Sequence, residues 1–458
     1  MAHSRNLPRR DSVAPDVEAS DIQGGVLRAY TLPAAAYLFL RIKDVAKACR
    51  LLERALPQVM TAESWTTPPQ TTMNVSLTYE GLEKLGLDPV LLASFPDVFR
   101  QGMAARAGQL GDRGPSAPEH WHVRDADVLV TVYAADAETL QDALAEVLTR
   151  DVEDGVEPVY LQLALDRPAG QDQFGFADGL SQPSFTGTGV SGRPGDGVPD
   201  GSGGWRDVAV GEVLLGYQDE DGALPAAPLQ PFDRNGTFVV VRKLQADVST
   251  FRRLLATSDY PGGPDQLAAK ILGRWPDGTP LALSPDRPDA AIAGDPSRVN
   301  DFTYAGDPLG LGCPVGAHVR RANPRDSAGF FGGRLSSRHR IVRRGRAYGA
   351  PMEPGRTDDD GVDRGLVFVS FQADIWRQFE TIQALWIDDG NPFSLGADKD
   401  PLVGESHAMV NTLKIPGHPP HFVRPMPRLV TTRGGAYLYQ PSIGALTYLA
   451  SLGAGVAR

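Results

Sequence analysis

Fifteen residues, GCPVGAHVRRANPRD (312–326), hold one histidine, His318, in a turn-rich frame of Pro, Gly and Asn beside three cations, Arg320, Arg321 and Arg325. Guanidinium groups around an imidazole make a place to hold an anion, because a guanidinium meets a carboxylate in a two-pronged hydrogen bond. Two further positions could carry chemistry. Asp178 lies between glycines in GFADGLSQP (175–183), where Asp-Gly is most simply a turn. Arg343 is the first arginine of RRG, 25 residues after His318, in a stretch that reads as a strand. Other clusters are weaker. His120 with His122 (HWH) and His418 with His421 (HPPH) lack Cys or carboxylate companions at metal-site spacing. DDDGVD (358–363) lacks the alternating acids and final glutamate of a calcium loop and reads as a solvated acidic turn. GTGVSG (187–192) lacks the Lys-Ser/Thr ending of a phosphate loop.

Four segments that could position such residues share one pattern, a short apolar run followed by an amphipathic helical stretch. They are YLFLRIKDVAKACRLLERAL (37–56), VLVTVYAADAETLQDALAEVL (128–148), FVVVRKLQADVSTFRRLLA (238–256) and LVFVSFQADIWRQFETIQALW (366–386). Val45, Ala48, Cys49, Leu52 and Leu56 recur at helical spacing in the first, and Ile375, Phe379, Ile382 and Trp386 in the last. A cysteine on such a face packs as core. Asp136, Asp247 and Asp374 stand where helix N-caps are expected. Alternation at Met73, Val75 and Leu77 and the run VYLQLAL (159–165) complete βαββαβ in the first half. The second half offers strand, helix, a long insertion, a strand around 340–346, strand and helix from Leu366, and a last strand near 436–440. An α+β fold of two ferredoxin-like split βαβ units packed sheet on sheet is expected. The expected division is an N-terminal extension over 1–30 and units over 31–175 and 176–458, with long Gly/Pro/Asp-rich loops at 186–204 and 276–307.

With 458 residues, 41% of them hydrophobic, the chain can bury a large core. A net charge of −11 and a pI near 5.3 speak against a nucleic-acid binder, which needs clustered cations to displace counterions. Local basic patches are compatible with that charge, and RHRIVRRGR (338–346) is one. Only Cys49 and Cys313 are present, so no disulfide framework is expected and a reducing compartment fits. Arg9 and Arg10 could open an export signal, but the residues after them contain no apolar region. No run approaches the roughly 18 apolar residues of a membrane span. The expectation is a cytoplasmic protein without membrane or nucleic-acid partners.

Taken together, GFADG (175–179), AHVRRANPR (317–325) and IVRRG (341–345) resemble the dye-decolorising peroxidase family of haem enzymes, and the resemblance runs from IQGGVLRAY (22–30) to the last strand. It implies haem b bound in the C-terminal half, hydrogen peroxide as oxidant, and small-molecule electron donors such as bulky dyes or phenols. His318 matches the axial iron ligand, Asp178 the acid that moves a proton from one peroxide oxygen to the other, and Arg343 the distal arginine whose charge faces the anionic peroxide. Arg325 is the expected propionate partner, with Asn323 and Pro324 shaping its turn. Gly179, Leu180 and Ser181 would bring backbone close to the ring, while Arg320 and Arg321 either share the propionate role or are solvated. Leu366 and Phe368 are expected to keep the distal side dry. The acid behind His318 is open among Asp400, Asp388 and Asp389. A pocket this closed admits peroxide but not a dye, so Tyr348 and Trp386 are expected to relay electrons from the surface. Two other readings stand beside the peroxidase: a haem carrier or sensor, which has no need of both Asp178 and Arg343, and haem dechelation, which nothing in the sequence excludes.

Overall fold

Strands apolar on both faces dictate the architecture. The first, β1 (Ala34–Ile42), sends Ala36, Leu38 and Leu40 into one core and Ala35, Tyr37 and Phe39 into another. Successive side chains of a strand point to opposite faces, so such a strand has to be covered on both. With β2 (Thr71–Leu77), β3 (Val128–Ala134) and β4 (Val156–Leu165) it forms an antiparallel sheet in the order β4-β1-β3-β2. The second half repeats that order as β9-β5-β8-β6, using β5 (Thr237–Ala246), β6 (Val342–Arg343), β8 (Gly365–Gln372) and β9 (Val430–Gln440). A short β7 (Arg346–Tyr348) also pairs with β8, so the strand expected around 340–346 is split in two. The fold is thus the expected pair of ferredoxin-like units. The halves join edge to edge at Tyr439 and Leu77, and their inner faces share a core in which Tyr37, Phe39 and Leu129 meet Val239, Val241 and Val369.

This computed structural model describes residues 17–148, 155–165, 170–327, 334–405 and 411–455; Arg9 and Arg10 lie outside them. Helices α1 (Val45–Ala55) and α2 (Ala137–Val147) follow β1 and β3, and α3 (Val248–Thr257) follows β5. The caps are where they were expected. Asp136, Asp247 and Asp374 accept the N–H groups of Thr139, Thr250 and Arg377 at 2.8, 2.8 and 2.9 Å. Asp44 does the same for Lys47 at 2.9 Å. Cys49 is core, packed against α6 (Ile443–Ser451). Between α3 and β6 runs the long insertion, which contributes α4 (Gly263–Leu272) and α5 (His318–Ala322).

The helix after β8, Ile375–Ile387, buries Ile375, Phe379, Ile382 and Trp386 as their spacing predicts, but it is wound as a π-helix. It also turns a carboxylate inward. Glu380 accepts two bonds from Arg106, from Nε at 2.6 Å and NH2 at 2.5 Å, and a third from the Tyr437 hydroxyl at 2.7 Å. The hydrogen bond to Glu380, against the opposing effect of burial, pushes the Arg106 guanidinium further up. Removing one partner of a buried pair strands the other charge, so Glu380→Ala is expected to destabilise the fold by about 3 kcal/mol. An unfolding free energy from denaturant titration within about 0.5 kcal/mol of wild type, the range of an ordinary surface change, would show that the pair contributes nothing.

Candidate active site

Strand alternation also builds the floor of the site. On β8, Val367, Val369 and Phe371 fill the inter-sheet core, which leaves Leu366 and Phe368 on the opposite face. Across the ladder Leu366 stands opposite Leu244 and Phe368 opposite Arg242. These four side chains border a cavity of about 340 Å³ whose other walls come from the insertion, the π-helix and the loop around Asp178.

His318 opens α5 and faces this cavity. Its Nδ1 lies 2.9 Å from Oδ2 of Asp400, which is fully buried and accepts the N–H groups of Leu402 and Val403 on its other oxygen, each at 2.9 Å. Burial alone would raise this acid, but His318, Arg321 and the Val403 N–H outweigh it and hold Asp400 below the usual aspartate value. Nε2 is then the nitrogen left for a ligand. Of the three acids the sequence left open, Asp400 is the one at His318. Asp388 instead accepts the Glu405 N–H at 2.6 Å and the Gln383 amide at 3.0 Å, and burial pushes it up to about 6. Asp389 accepts the Asn391 N–H at 2.9 Å.

The arginines beside His318 divide differently from the expectation. Arg320 and Arg321 are neither solvated nor at the cavity; both are buried. Arg320 donates to the carbonyls of Cys313 (2.7 Å) and Asp307 (2.8 Å) and lies over the Tyr304 ring, while Arg321 donates to those of Trp386 (2.8 Å) and Asp398 (2.6 Å). A five-residue helix has little stability of its own, and these bonds fasten it. Arg325 does line the cavity, but its fork is spent on the frame: NH1 donates to the carbonyl of Phe302 at 2.8 Å and NH2 to Oδ1 of Asn300 at 2.5 Å. Its Nε, buried, has no hydrogen-bond partner among the described residues. Asn323 shares that wall, and the Pro324 carbonyl closes the turn by accepting the Ser327 N–H at 2.9 Å.

Asp178 and Arg343 are brought together. Gly175 and Gly179 adopt φ of +96° and +73°, a region that side chains disfavour, and this turns the loop so that the Asp178 side chain stands open in the cavity. A Cβ at either glycine would meet nothing within 4 Å, so conformation and not space requires them. Arg343 grips the same loop through NH2 to the Ser181 carbonyl at 3.0 Å and through its N–H to the Gln182 side chain at 3.1 Å. Leu180 and Ser181 add to the wall. A second cavity of about 290 Å³, bordered by Tyr30, Asn74, Tyr133 and Gln182 between the sheets, meets the first at Asp178 and Arg343.

The basic run 338–346 is not a surface patch. Arg338 pairs with Asp221 at 2.5 Å, Arg340 and Arg343 face the cavity, and Arg344 and Arg346 donate to the carbonyls of Gly25 (3.0 Å) and Tyr30 (2.8 Å). The two expected relay residues are not at the surface either. Tyr348 is 2% exposed because β7 turns it into the inter-sheet core, and Trp386 is 8% exposed, wedged edge-on against His339 beside the cavity. On the same π-helix as Trp386, Trp376 is 62% exposed. Sequence reasoning also missed Asp172, a cavity residue that burial and the nearby Asp178 push up to about 6 against its backbone hydrogen bonds. Its place six residues before Asp178 was the available signal.

Residues 21–168 match the family model described as the DyP dimeric alpha+beta barrel domain, and residues 223–395 match that described as Dyp-type peroxidase, C-terminal. The multifunctional dye peroxidase DyP2 of an Amycolatopsis species is 30% identical over 94% of this chain and 95% of its own length. Peroxidase 2 of Mycetinis scorodonius is 28% identical over 93% of this chain and 86% of its own. A solved dye-decolorizing peroxidase in complex with 2,6-dimethoxyphenol is similar with a TM-score of 0.81 at 26% identity, covering 95% of this chain and 100% of that one.

Proposed function

The chain belongs to the dye-decolorising peroxidase family, and from that premise we propose that it is a haem peroxidase that reduces hydrogen peroxide and oxidises bulky dyes or phenolic donors. One observation carries the reading: a single cavity presents a histidine backed by a buried carboxylate together with an acid and an arginine fastened to one loop. Haem b fits the residues present. The Nε2 of His318 is free to bind iron, the orphaned Nε of Arg325 and the side chain of Asn323 suit a propionate, and Leu244, Leu366, Phe368 and Trp386 suit the macrocycle. Bound there, haem supplies the iron at which peroxide is reduced.

The protein's own residues do the rest. Asp400 accepts the Nδ1 proton of His318, which fixes the tautomer and makes Nε2 a stronger donor. Asp178 takes a proton from one peroxide oxygen and delivers it to the other, which then leaves as water. Arg343 holds a positive charge at the developing anion, and its tether to Ser181 means that it need not move to do so. Leu366 and Phe368 exclude water, and Gly179 and Leu180 set the loop against the ring. Tyr348 and Trp386, though buried, remain the relay for donors too large to enter. The units 31–175 and 176–458 divide the work, the second carrying the cofactor. Two free, buried cysteines support a cytoplasmic setting.

An absorption spectrum of the purified protein with and without one equivalent of peroxide tests this. A Soret band that changes on adding peroxide is expected; an unreactive band would select a carrier, and no band would dismiss both. Asp400→Asn is expected to keep haem and lower the rate of its oxidation by peroxide roughly 10- to 100-fold. The Asp400 carboxyl sits below its unfolded value, so its contribution to stability is complete above that value and is lost as pH falls through the lower folded one. Unfolding curves of wild type and Asp400→Asn should therefore converge below about pH 4. A constant gap down to the acid limit would assign the difference to packing.

A further inference from the structure

The haem cavity holds a second imidazole. His339 lies on the segment that leads to Arg343 and borders the cavity together with Ser336, Arg340 and Ile341. Its Nδ1 donates to the carbonyl of Arg377, which fixes the tautomer and leaves the lone pair on Nε2. Trp386 meets the ring edge-on, with centroids 5.0 Å apart and planes at 84°, and so holds its orientation. Among the described residues nothing hydrogen-bonds Nε2. Burial, joined by the charges of Arg377 and Arg338 and opposed by the Arg377 carbonyl and Asp374, holds the imidazolium below its ordinary range, so the ring is a neutral base.

The two imidazoles differ in what stands behind them. Nδ1 of His318 faces the carboxylate of Asp400, which strengthens Nε2 as a metal donor. Nδ1 of His339 faces a neutral carbonyl, which leaves Nε2 an ordinary imidazole nitrogen that accepts a proton and gives it up again readily. The donor half of a peroxidase reaction needs such a base. A phenol, with an ordinary pKa of about 10, keeps its proton at neutral pH, and on losing an electron it becomes a very strong acid, so electron and proton leave together. The acids of the cavity are committed elsewhere. Asp178 serves peroxide, Asp400 serves His318, and Asp172 accepts the Phe176 N–H at 2.9 Å and so shapes the loop of Asp178. Asp112 is paired with Arg242, while Asp388 and Glu405 face Lys399 at 4.0 and 3.7 Å.

We propose that His339 is the base for phenolic donors small enough to enter the cavity: Nε2 takes the proton of the donor hydroxyl as the peroxide-oxidised cofactor takes its electron. The O–H bond of the donor breaks, an N–H bond forms at His339, and the donor leaves as a neutral phenoxyl radical. His339 then gives the proton up and is neutral again for the second donor. Two donors thus supply the two electrons and two protons with which the second peroxide oxygen leaves as water. This rests on the peroxidase reading above and names the residue that completes its donor half. A donor that loses an electron and no proton, such as ferrocyanide, has no use for the base.

The test is double-mixing stopped flow of the holoenzyme, first with one equivalent of hydrogen peroxide and then with 2,6-dimethoxyphenol or ferrocyanide, reading the return of the Soret band. In His339→Gln the return driven by the phenol is expected to slow on the order of 10²-fold, the scale of a lost general base, while the return driven by ferrocyanide and the first reaction with peroxide keep their wild-type rates. His339→Asn, an amide of different length, should show the same split. In wild type, deuterium oxide should slow the return with the phenol and not that with ferrocyanide, and an equal effect on both would overturn the coupled proton transfer even if neither variant folds. Equal slowing with both donors in the variants would make His339 a packing residue and overturn the base, as would wild-type rates with both. A low-spin Soret band in wild type that turns high-spin in His339→Gln would make the second imidazole an iron ligand and overturn it too. Absence of any Soret change when peroxide is added to wild type would instead overturn the peroxidase reading itself.

Discussion

Arg343→Leu is expected to slow the oxidation of the haem enzyme by peroxide by a factor on the order of 10² or more, the loss typical when a charge aimed at a transition state is removed. The reason lies in how the guanidinium is held. Its bond to the Ser181 carbonyl, with the backbone N–H of the same residue bound to Gln182, fixes it over the loop that carries Asp178, so in the wild type little reorganisation accompanies the build-up of negative charge on the departing oxygen. Leucine keeps much of the volume and none of the charge, so the change reads electrostatics and not collapse of the wall. Asp178→Asn keeps the shape of the loop and removes the base, and a loss of roughly 10²-fold is expected there as well. Stopped-flow traces of the Soret band against peroxide concentration measure both. Second-order rates equal to wild type in both variants would dismiss the proton shuttle and the charge together.

How far the chain could be read in advance depends on the range of the interaction involved. The apolar runs YLFLRI and FVVVRK are a local property and marked the strands, which the fold covers on both faces, and the caps Asp136, Asp247 and Asp374 were legible because their bonds span only three residues. Asp178, His318 and Arg343 stood out because motif and residue type coincide with turns and strand ends. The strand order was not legible, since nothing local says that β9 lies beside β5 and touches β2. Nor was Asp400, which reaches His318 across 82 residues. Arg320 and Arg321 look like solvated or ligand-binding cations in sequence, yet the carbonyls that bury them belong to residues 307, 313, 386 and 398, which only the fold assembles. Tyr348 was misplaced for a related reason. On a strand as short as β7 no alternation is long enough to show which face is inside, and the acids of DDDGVD look like a solvated turn until Lys243 and Tyr348 are seen to hold Asp363.

His318→Ala is expected to leave a folded protein whose affinity for haem falls by about 10²-fold or more, since even removal of the groups that support a ligand commonly costs 10- to 100-fold. Folding should survive because the imidazole does little of the work of holding α5 in place. Arg320 and Arg321, on the same short helix, carry the bonds to four distant carbonyls, and neither involves the His318 ring. Asp400 loses one partner but keeps the Leu402 and Val403 N–H groups and the nearby Arg321 charge, so its burial remains compensated in part. A loss of about 1 to 3 kcal/mol in the haem-free protein, the range for a buried acceptor deprived of one bond, is the expected limit. The variant also leaves a space the size of an imidazole in front of Asp400. Free imidazole should therefore enter it, give its N–H to that carboxylate and restore the Soret band, whereas it should do nothing for Asp400→Asn, in which the ligand is still present. Full haem occupancy and an unchanged spectrum in His318→Ala without added imidazole would mean that the iron ligand is another residue and that the His318–Asp400 pair serves only the fold.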